Sequence, residues 1–131
     1  KLLQFVYNNQ PFMIKIAQRR PNDYCVMNKA DFNEAVLVAK DKKNRTANHY
    51  GAINLNNGNG SSSSTIEFRM FQGTLEPLFL HKNIEFVRAC YKFTKTYPAK
   101  LMTKKQFLSF VKHNTRAYPC LNEFIRMKGI R

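Results

Sequence analysis

The sequence predicts an α+β fold, in which an antiparallel β-hairpin or small sheet is packed by helices. Residues 50–56 and 65–71 alternate between apolar and polar side chains, which is the period of a β-strand. The Gly- and Ser-rich segment 57–64 joins these two runs, so we expect an antiparallel hairpin. Apolar residues recur at helical spacing within 1–18 and again after Pro77, and these segments supply the helices.

Length and composition restrict the class of protein. The chain has 131 residues, of which 44% are hydrophobic and 13% aromatic. This is one domain or a part of one, with enough apolar side chains for a core, so disorder of the whole chain is excluded. No apolar run approaches the roughly 18 residues of a membrane-spanning helix, and polar residues interrupt the first ten positions, so we expect no secretory signal there. We therefore expect no membrane partner.

The cysteines indicate a reducing compartment. Cys25, Cys90 and Cys120 are odd in number, lie far apart and form no C-x-x-C pair. This pattern is typical of free thiols rather than of a disulfide framework or a structural zinc site, so we expect a cytoplasmic protein. The three histidines form no H-x-H or H-E-x-x-H motif, and we expect them at or near the surface.

The formal net charge of +14 is unevenly distributed. Residues 1–50 carry +5, residues 51–81 carry −1, and residues 82–131 carry +10. A basic half with interleaved aromatic residues is a footprint for nucleic acid or another polyanion. The basic residues are mostly scattered singly, however, which suits the solvated faces of helices equally well. Both interpretations remain open from charge alone.

The N-terminal part combines helices with irregular segments. Residues 1–18 read as two successive helices, and Pro11 suits the first turn of the second. Residues 19–47 are polar and irregular, with a short strand expected at 35–39 and an exposed loop at the KDKKNR run, 40–45.

The predicted hairpin has two different faces. One face is apolar and must be covered, whereas the other presents Asn54, Glu67 and Arg69 together. The apolar face consists of Ile53, Leu55, Ile66, Phe68 and Met70.

The C-terminal part is predicted to be helical. Pro77 opens a helix with a broad apolar stripe, built from Phe79, Leu80, Ile84, Phe86, Val87, Cys90 and Phe93. This helix ends at Tyr97-Pro98, because the residue before a proline avoids the helical region. Thr103 and Gln106 form a capping box that opens the next helix, and residues 122–127 form a last helix that Gly129 closes.

Glu67 and Arg69 can carry chemistry. Residues two apart on a strand share a face and lie about 7 Å apart. A carboxylate can bind a divalent metal, and a guanidinium two positions away can contact the phosphates that the metal bridges. The E-x-R pattern is common by chance, so spacing alone favours an exposed charge pair on a strand, and makes Asn54 an ordinary polar residue near a turn.

A longer pattern around these residues is more specific. Residues 49–55 read HYGAINL, and residues 65–75 read TIEFRMFQGTL. This stretch resembles the signature of the amidoligase family, with a strand of the type R-Y-x-x-x-N-L, a variable loop, and then T-x-E-F-R-x-F-x-G-T-L leading into a helix. The resemblance is strongest over 48–76 and looser in the flanking helices. That family belongs with the carboxylate–amine ligases that share the glutamine synthetase type of fold.

The resemblance implies a function and assigns roles to residues. Similar enzymes use ATP and Mg²⁺ to phosphorylate a carboxylate substrate, and an amine substrate then attacks the acyl phosphate. Glu67 would be a catalytic metal ligand, and Arg69 would be a catalytic phosphate contact. Asn54, Thr74 and His49 would line the substrate and ATP site, and Gly73 would allow a tight exit from the strand.

The chain also departs from the family pattern. His49 stands where the family has an arginine, and neither the G-x-E-x-E metal-binding strand nor the histidine-bearing strand occurs. The resemblance therefore implies that residues 1–97 are the C-terminal part of a catalytic domain, which needs the remainder of that domain for activity. Residues 98–131 would be a basic helical extension.

Two other functions remain open from the sequence. The first is a small basic module that binds nucleic acid or a protein through the helices at 103–128. The second is a structural fragment that retains the ligase fold without catalysis.

Overall fold

The computed structural model describes residues 1–40, 50–55 and 65–131. The described part is mostly helical with one two-stranded antiparallel sheet, so the α+β prediction is confirmed at that level. In chain order the elements are α1 (Leu2–Asn8), α2 (Gln10–Ala17), α3 (Lys29–Lys40), β1 (Ile53–Asn54), β2 (Glu67–Phe68), α4 (Pro77–Thr96), a 3₁₀ turn (Ala99–Leu101), α5 (Lys104–His113) and α6 (Pro119–Met127). Within this part, every helix falls short of the length or the apolar character that a membrane span needs.

The chain divides into two compact units. Residues 1–9 and 72–131 form a helical unit, which contains α1, α4, α5 and α6. Residues 10–71 form a sheet unit, which contains α2, α3 and the hairpin.

The helical unit is built around a cluster of aromatic rings. Phe5, Phe86, Phe93 and Phe107 are all fully buried. Their ring centroids lie 4.9 to 5.4 Å apart in tilted and edge-to-face pairs, the geometry that the ring quadrupole favours. This cluster joins α1, α4 and α5 into one core.

Helix α4 has the predicted ends, and its buried face matches the predicted apolar stripe in part. It begins at Pro77 and ends at Thr96, followed by the capping residue Tyr97 and then Pro98. Two residues of the predicted apolar stripe are exposed, since Leu80 is 46% and Ile84 58% accessible. Phe86, Cys90 and Phe93 of that stripe are buried as predicted, and Lys82 and Ala89 are buried beside them. The aromatic core therefore follows the predicted stripe in part, but it also encloses a lysine that hydropathy places at the surface.

Side-chain acceptors cap the first turns of the two C-terminal helices. The Thr103 side chain accepts a hydrogen bond from the Gln106 N–H at 3.3 Å, which confirms the predicted cap of α5. Helix α6 begins three residues before the predicted start, and Gly129 ends it with a φ of +57°. Its first turn donates the Leu121 N–H to Glu85 Oε2 at 2.7 Å, so an acceptor from α4 caps this helix.

The short strand predicted at 35–39 is wrong, because these residues lie within α3. The Asn28 side chain accepts a hydrogen bond from the Asp31 N–H at 2.8 Å and so caps the first turn of this helix. Ala35 is buried on the helix. A short apolar run does not by itself distinguish a strand from a helix.

The predicted hairpin is confirmed, although its strands are short. Asn54 pairs with Glu67, and Ile53 pairs with Phe68, in antiparallel register. The prediction of a uniformly covered apolar face is wrong at Ile66, which is 53% exposed. The predicted loops at 57–64 and, beyond Lys40, at the KDKKNR run lie outside the described residues.

A third segment extends the hairpin. Val26 forms an isolated parallel bridge with Gly51, in which the Val26 N–H donates to the Tyr50 oxygen and the Ala52 N–H donates to the Val26 oxygen, both at 2.8 Å. The sequence gives no period-two signal at this position. The bridge is nevertheless important for the site, because it fixes the backbone at the start of β1.

Candidate functional site

The hairpin brings three of the predicted site residues into direct contact. Asn54 Nδ2 donates a hydrogen bond to Glu67 Oε2 at 2.8 Å, and Arg69 Nη1 donates to Glu67 Oε1 at 3.3 Å. Residues paired across two antiparallel strands have neighbouring side chains, and residues two apart on one strand share a face. We call this group the Asn54–Glu67–Arg69 cluster. The predicted juxtaposition of these residues is confirmed, and their roles stay predictions.

Burial decreases across the cluster. The Asn54 residue is 4% exposed, whereas the side chains of Arg69 and Glu67 are 25% and 40% exposed. The buried amide and the guanidinium each hold one oxygen of a carboxylate that solvent can still reach. An oriented and accessible carboxylate is a group that can meet a ligand.

Arg69 is held from several sides. Its guanidinium carbon lies 5.8 Å from the centroid of the Tyr50 ring, which is a cation–π distance. Its backbone N–H donates to the Ala52 oxygen at 2.9 Å, and its backbone oxygen accepts from Arg19 Nη1 at 3.3 Å. The Arg69 Nε–H is buried and has no hydrogen-bond partner within the described part of the chain. A guanidinium donor without a partner is suited to an anionic ligand or to water.

A second arginine strengthens the positive charge in the sheet unit. Arg19 Nη2 donates to Asn22 Oδ1 at 3.2 Å, in addition to its bond with the backbone oxygen of Arg69.

Burial raises the pKa of the Cys25 thiol, and the nearby positive charges of Arg19 and Arg69 only partly oppose this effect. Cys25 therefore remains a protonated thiol at neutral pH and is not an activated nucleophile.

Sequence reasoning missed Arg19 and Asp31. Arg19 lies 50 residues before Arg69 in a segment without a periodic pattern, so no local signal connects the two. Asp31 is 6% exposed, and its Oδ1 would lie 2.6 Å from a Cβ placed on Gly51. The glycine at position 51 therefore leaves space for this buried carboxylate.

Two further residues, Thr74 and His49, are predicted to line the site, and Gly73 is predicted to allow the exit from the strand. Thr74 belongs to the helical unit, where its Oγ1 accepts a hydrogen bond from the Glu76 N–H at 3.1 Å just before α4. His49 lies outside the described residues. The predicted steric requirement for glycine at position 73 is wrong, because a Cβ there would meet no atom within 4 Å and the backbone is not left-handed.

Within the Asn54–Glu67–Arg69 cluster, Glu67 is the candidate ligand for a divalent cation. Across 1–40, 50–55 and 65–131, no group of three or more histidine, cysteine, aspartate or glutamate side chains is placed to hold a metal ion. Glu67 can offer one carboxylate. Mg²⁺ commonly binds one or two protein carboxylates together with the phosphates of its substrate, so this donor is compatible with a metal–nucleotide complex.

Comparisons of the chain with models of protein families, with curated proteins and with solved structures find no match. Function is therefore inferred from the signature residues and from the contacts that they make.

Proposed function

We propose that the protein is an ATP-dependent carboxylate–amine ligase with a fold of the glutamine synthetase type, and that the Asn54–Glu67–Arg69 cluster forms part of its active site. One observation carries the proposal. Glu67 is held by Asn54 on one oxygen and by Arg69 on the other, and all three residues occupy signature positions of the amidoligase pattern. A structural ion pair needs neither the amide partner nor this sequence context.

The reaction requires an activated carboxylate. The γ-phosphoryl group of ATP passes to a carboxylate oxygen of the substrate, which gives ADP and an acyl phosphate. An amine then attacks the carbonyl carbon, the C–O bond to phosphate breaks with its electron pair, and the nitrogen loses a proton. The products are an amide and inorganic phosphate. Catalysis of phosphoryl transfer consists mainly of positioning and of stabilising the charge on the transferred oxygens.

Arg69 suits that stabilising role. Its side chain is 25% exposed and can reach a phosphoryl or acyl-phosphate oxygen, and the Tyr50 ring and the Glu67 carboxylate orient its guanidinium. A donor that is already oriented needs little reorganisation when charge develops, which is the basis of electrostatic catalysis.

Glu67 would supply one oxygen ligand to Mg²⁺, and Asn54 would orient that carboxylate. When bound, the metal would neutralise part of the charge on the ATP phosphates. The G-x-E-x-E ligands of the family do not occur in these 131 residues, so Glu67 would be one of several ligands of the active enzyme.

A hydroxamate assay tests the proposal on the protein as it occurs in the cell. The protein is incubated with ATP, Mg²⁺, hydroxylamine and a panel of acidic donors that begins with glutamate. We expect Glu67→Gln and Arg69→Lys to lower the rate by at least about 100-fold, the effect of removing one charge-stabilising group. Glu76→Gln and Arg20→Lys, which change exposed residues by the same chemistry, should retain activity.

Two outcomes contradict the proposal. The first is the absence of hydroxamate with every donor. The second is equal activity in the cluster variants and the controls, with circular dichroism showing that all four variants are folded. The second outcome would leave the cluster a structural ion pair.

A further inference from the structure

Helix α4 has an exposed and largely basic face opposite its buried face. With 3.6 residues per turn, residues 81, 84, 88, 91, 92 and 95 lie within an arc of about 100°. All six are exposed, and we call them the basic face: His81, Ile84, Arg88, Tyr91, Lys92 and Lys95. From residue 81 to residue 95 the helix rises about 21 Å.

The positive charge of this face is not compensated within the described chain. Arg88 and Lys92 are four residues apart, and Lys92 and Lys95 are three apart, spacings at which like charges destabilise a helix. None of these three side chains forms an ion pair among the described residues. Glu85 lies near the border of the face, but its carboxylate accepts a hydrogen bond from the Leu121 N–H.

Lys95 contacts the aromatic ring of Tyr91 on the same helix. Its Nζ donates to the Tyr91 hydroxyl at 2.9 Å and lies 5.0 Å from the centroid of that ring. The tyrosine ring therefore positions a cation without neutralising it, and the face retains its full charge.

The surrounding charge has the same sign. Residues 82–131 contain 12 basic and 2 acidic side chains, and Glu85 already has an internal partner. The exposed cations of this segment outside the basic face are Lys100, Lys104, Lys105, Lys112, Arg116, Arg126, Lys128 and Arg131. Such an excess of one sign favours association with a polyanion.

The geometry points to duplex DNA as the occupant. We propose that the basic face of α4 binds the phosphate backbone of duplex DNA, independently of the proposed ligase site. A helix is 10–12 Å across with its side chains, which matches the roughly 12 Å width of the major groove of B-DNA. The face is long enough to follow that groove, and Arg88, Lys92 and Lys95 are spaced along it.

Other polyanions fit the face less well. The major groove of an RNA duplex is too deep and narrow for a helix. Single strands bind through aromatic stacking platforms, but the face has one aromatic ring, Tyr91, and Lys95 lies against it. A lipid surface requires a broad apolar face, and Ile84 is the single aliphatic side chain among the six residues.

Fluorescence anisotropy with a labelled 20-base-pair DNA duplex tests the proposal on the full chain. The affinity is measured between 50 and 200 mM salt for the wild type, for the triple variant Arg88→Ala, Lys92→Ala and Lys95→Ala, and for a control triple. Each phosphate contact contributes a slope of about 0.9 in the plot of log affinity against log salt, so the first triple should lower the slope by about 2.7. When the salt concentration rises fourfold, the first triple should therefore lose about 40-fold less affinity than the wild type loses.

The control triple removes the same charge from another part of the surface. It combines Lys15→Ala, Lys29→Ala and Lys40→Ala, all at exposed positions of the sheet unit. We expect the control to keep the slope of the wild type. Equal losses in the two triples would overturn the proposal, because they would show attraction by net charge alone.

Two further measurements decide the occupant and the location. Equal affinity of the wild type for duplex RNA and duplex DNA would overturn the choice of duplex DNA. The choice would also be overturned if the α4 triple lost binding to anionic lipid vesicles but kept binding to DNA. Acetylation of lysines by a small reagent, read by mass spectrometry, should be reduced by DNA at Lys92 and Lys95 but not at Lys15. Absence of this protection would also overturn the proposal. Hydroxamate formation, if present, should survive in the α4 triple.

Discussion

Lys82 provides the sharpest test of the helical unit. Its side chain is fully buried between α4 and α6, where Nζ donates to Asn83 Oδ1 at 2.6 Å and lies 4.4 Å from the centroid of the Phe124 ring. Burial lowers the pKa of Lys82 from 10.5 to about 8. A buried ammonium is costly because the protein interior solvates charge less well than water does.

The substitution Lys82→Met removes this titration while keeping an unbranched side chain of similar length. Below pH 8 the lysine is charged in the folded and unfolded states, so the folded protein bears the full cost of burying the charge. Between pH 8 and 10.5 the unfolded state holds a proton that the folded state has lost, so the free energy of unfolding of the wild type rises with pH. The difference between 10.5 and about 8 corresponds to a rise of about 3 kcal/mol, which Lys82→Met should lack.

Urea unfolding followed by circular dichroism measures this difference at pH 7, 8, 9 and 10. Other titrating groups are common to both proteins, so their effects cancel when the two pH profiles are subtracted. Lys92→Met is the matched control, because Lys92 is exposed on the same helix and should leave the profile of the wild type unchanged. Parallel profiles for the wild type and Lys82→Met would refute the reasoning.

Two further predictions concern stability. Gly51→Ala should lower the free energy of unfolding by about 1–3 kcal/mol, because the new Cβ would lie 2.6 Å from Oδ1 of the buried Asp31. Gly73→Ala is its control and should be neutral or slightly stabilising, since the site is open; equal losses in both variants, measured by urea unfolding, would contradict this account. Glu85→Ala should cost about 1–2 kcal/mol by leaving the Leu121 N–H without its acceptor. Glu85→Gln should cost less, since an acceptor oxygen remains, and thermal melts in which the two variants are equally unstable would argue against a capping role.

The contacts of the cluster follow from sequence to a large extent. Alternation in the two runs places Glu67 and Arg69 on one face, and hairpin pairing brings Asn54 beside them, as the structure has them. These relations depend on local geometry, because strand period and hairpin connectivity are set by neighbouring residues. The contribution of Arg19 is different, since it reaches the backbone of Arg69 across 50 residues of sequence. No local pattern encodes that contact.

The errors of the sequence-based predictions have a common cause. The run at 35–39 suits a strand or a helix, and the Asn28 cap places it within α3. In α4, aromatic packing buries Lys82 and leaves Ile84 exposed, although hydropathy predicts the opposite. In both cases, interactions outside the local run override the preference of the individual residues.

Local sequence predicts the α+β class, the hairpin, the limits of α4 and the cap of α5, because alternation, proline positions and capping residues act over a few neighbouring residues. Strand alternation also predicts that the three residues of the cluster share one face of the hairpin. Tertiary packing, by contrast, determines that Lys82 rather than Ile84 is buried on α4, that Glu85 caps α6, and that Arg69 keeps a donor beside Tyr50 without a partner among the described residues. These features depend on packing between segments that are distant in the chain. Close packing selects one arrangement from several that local sequence permits.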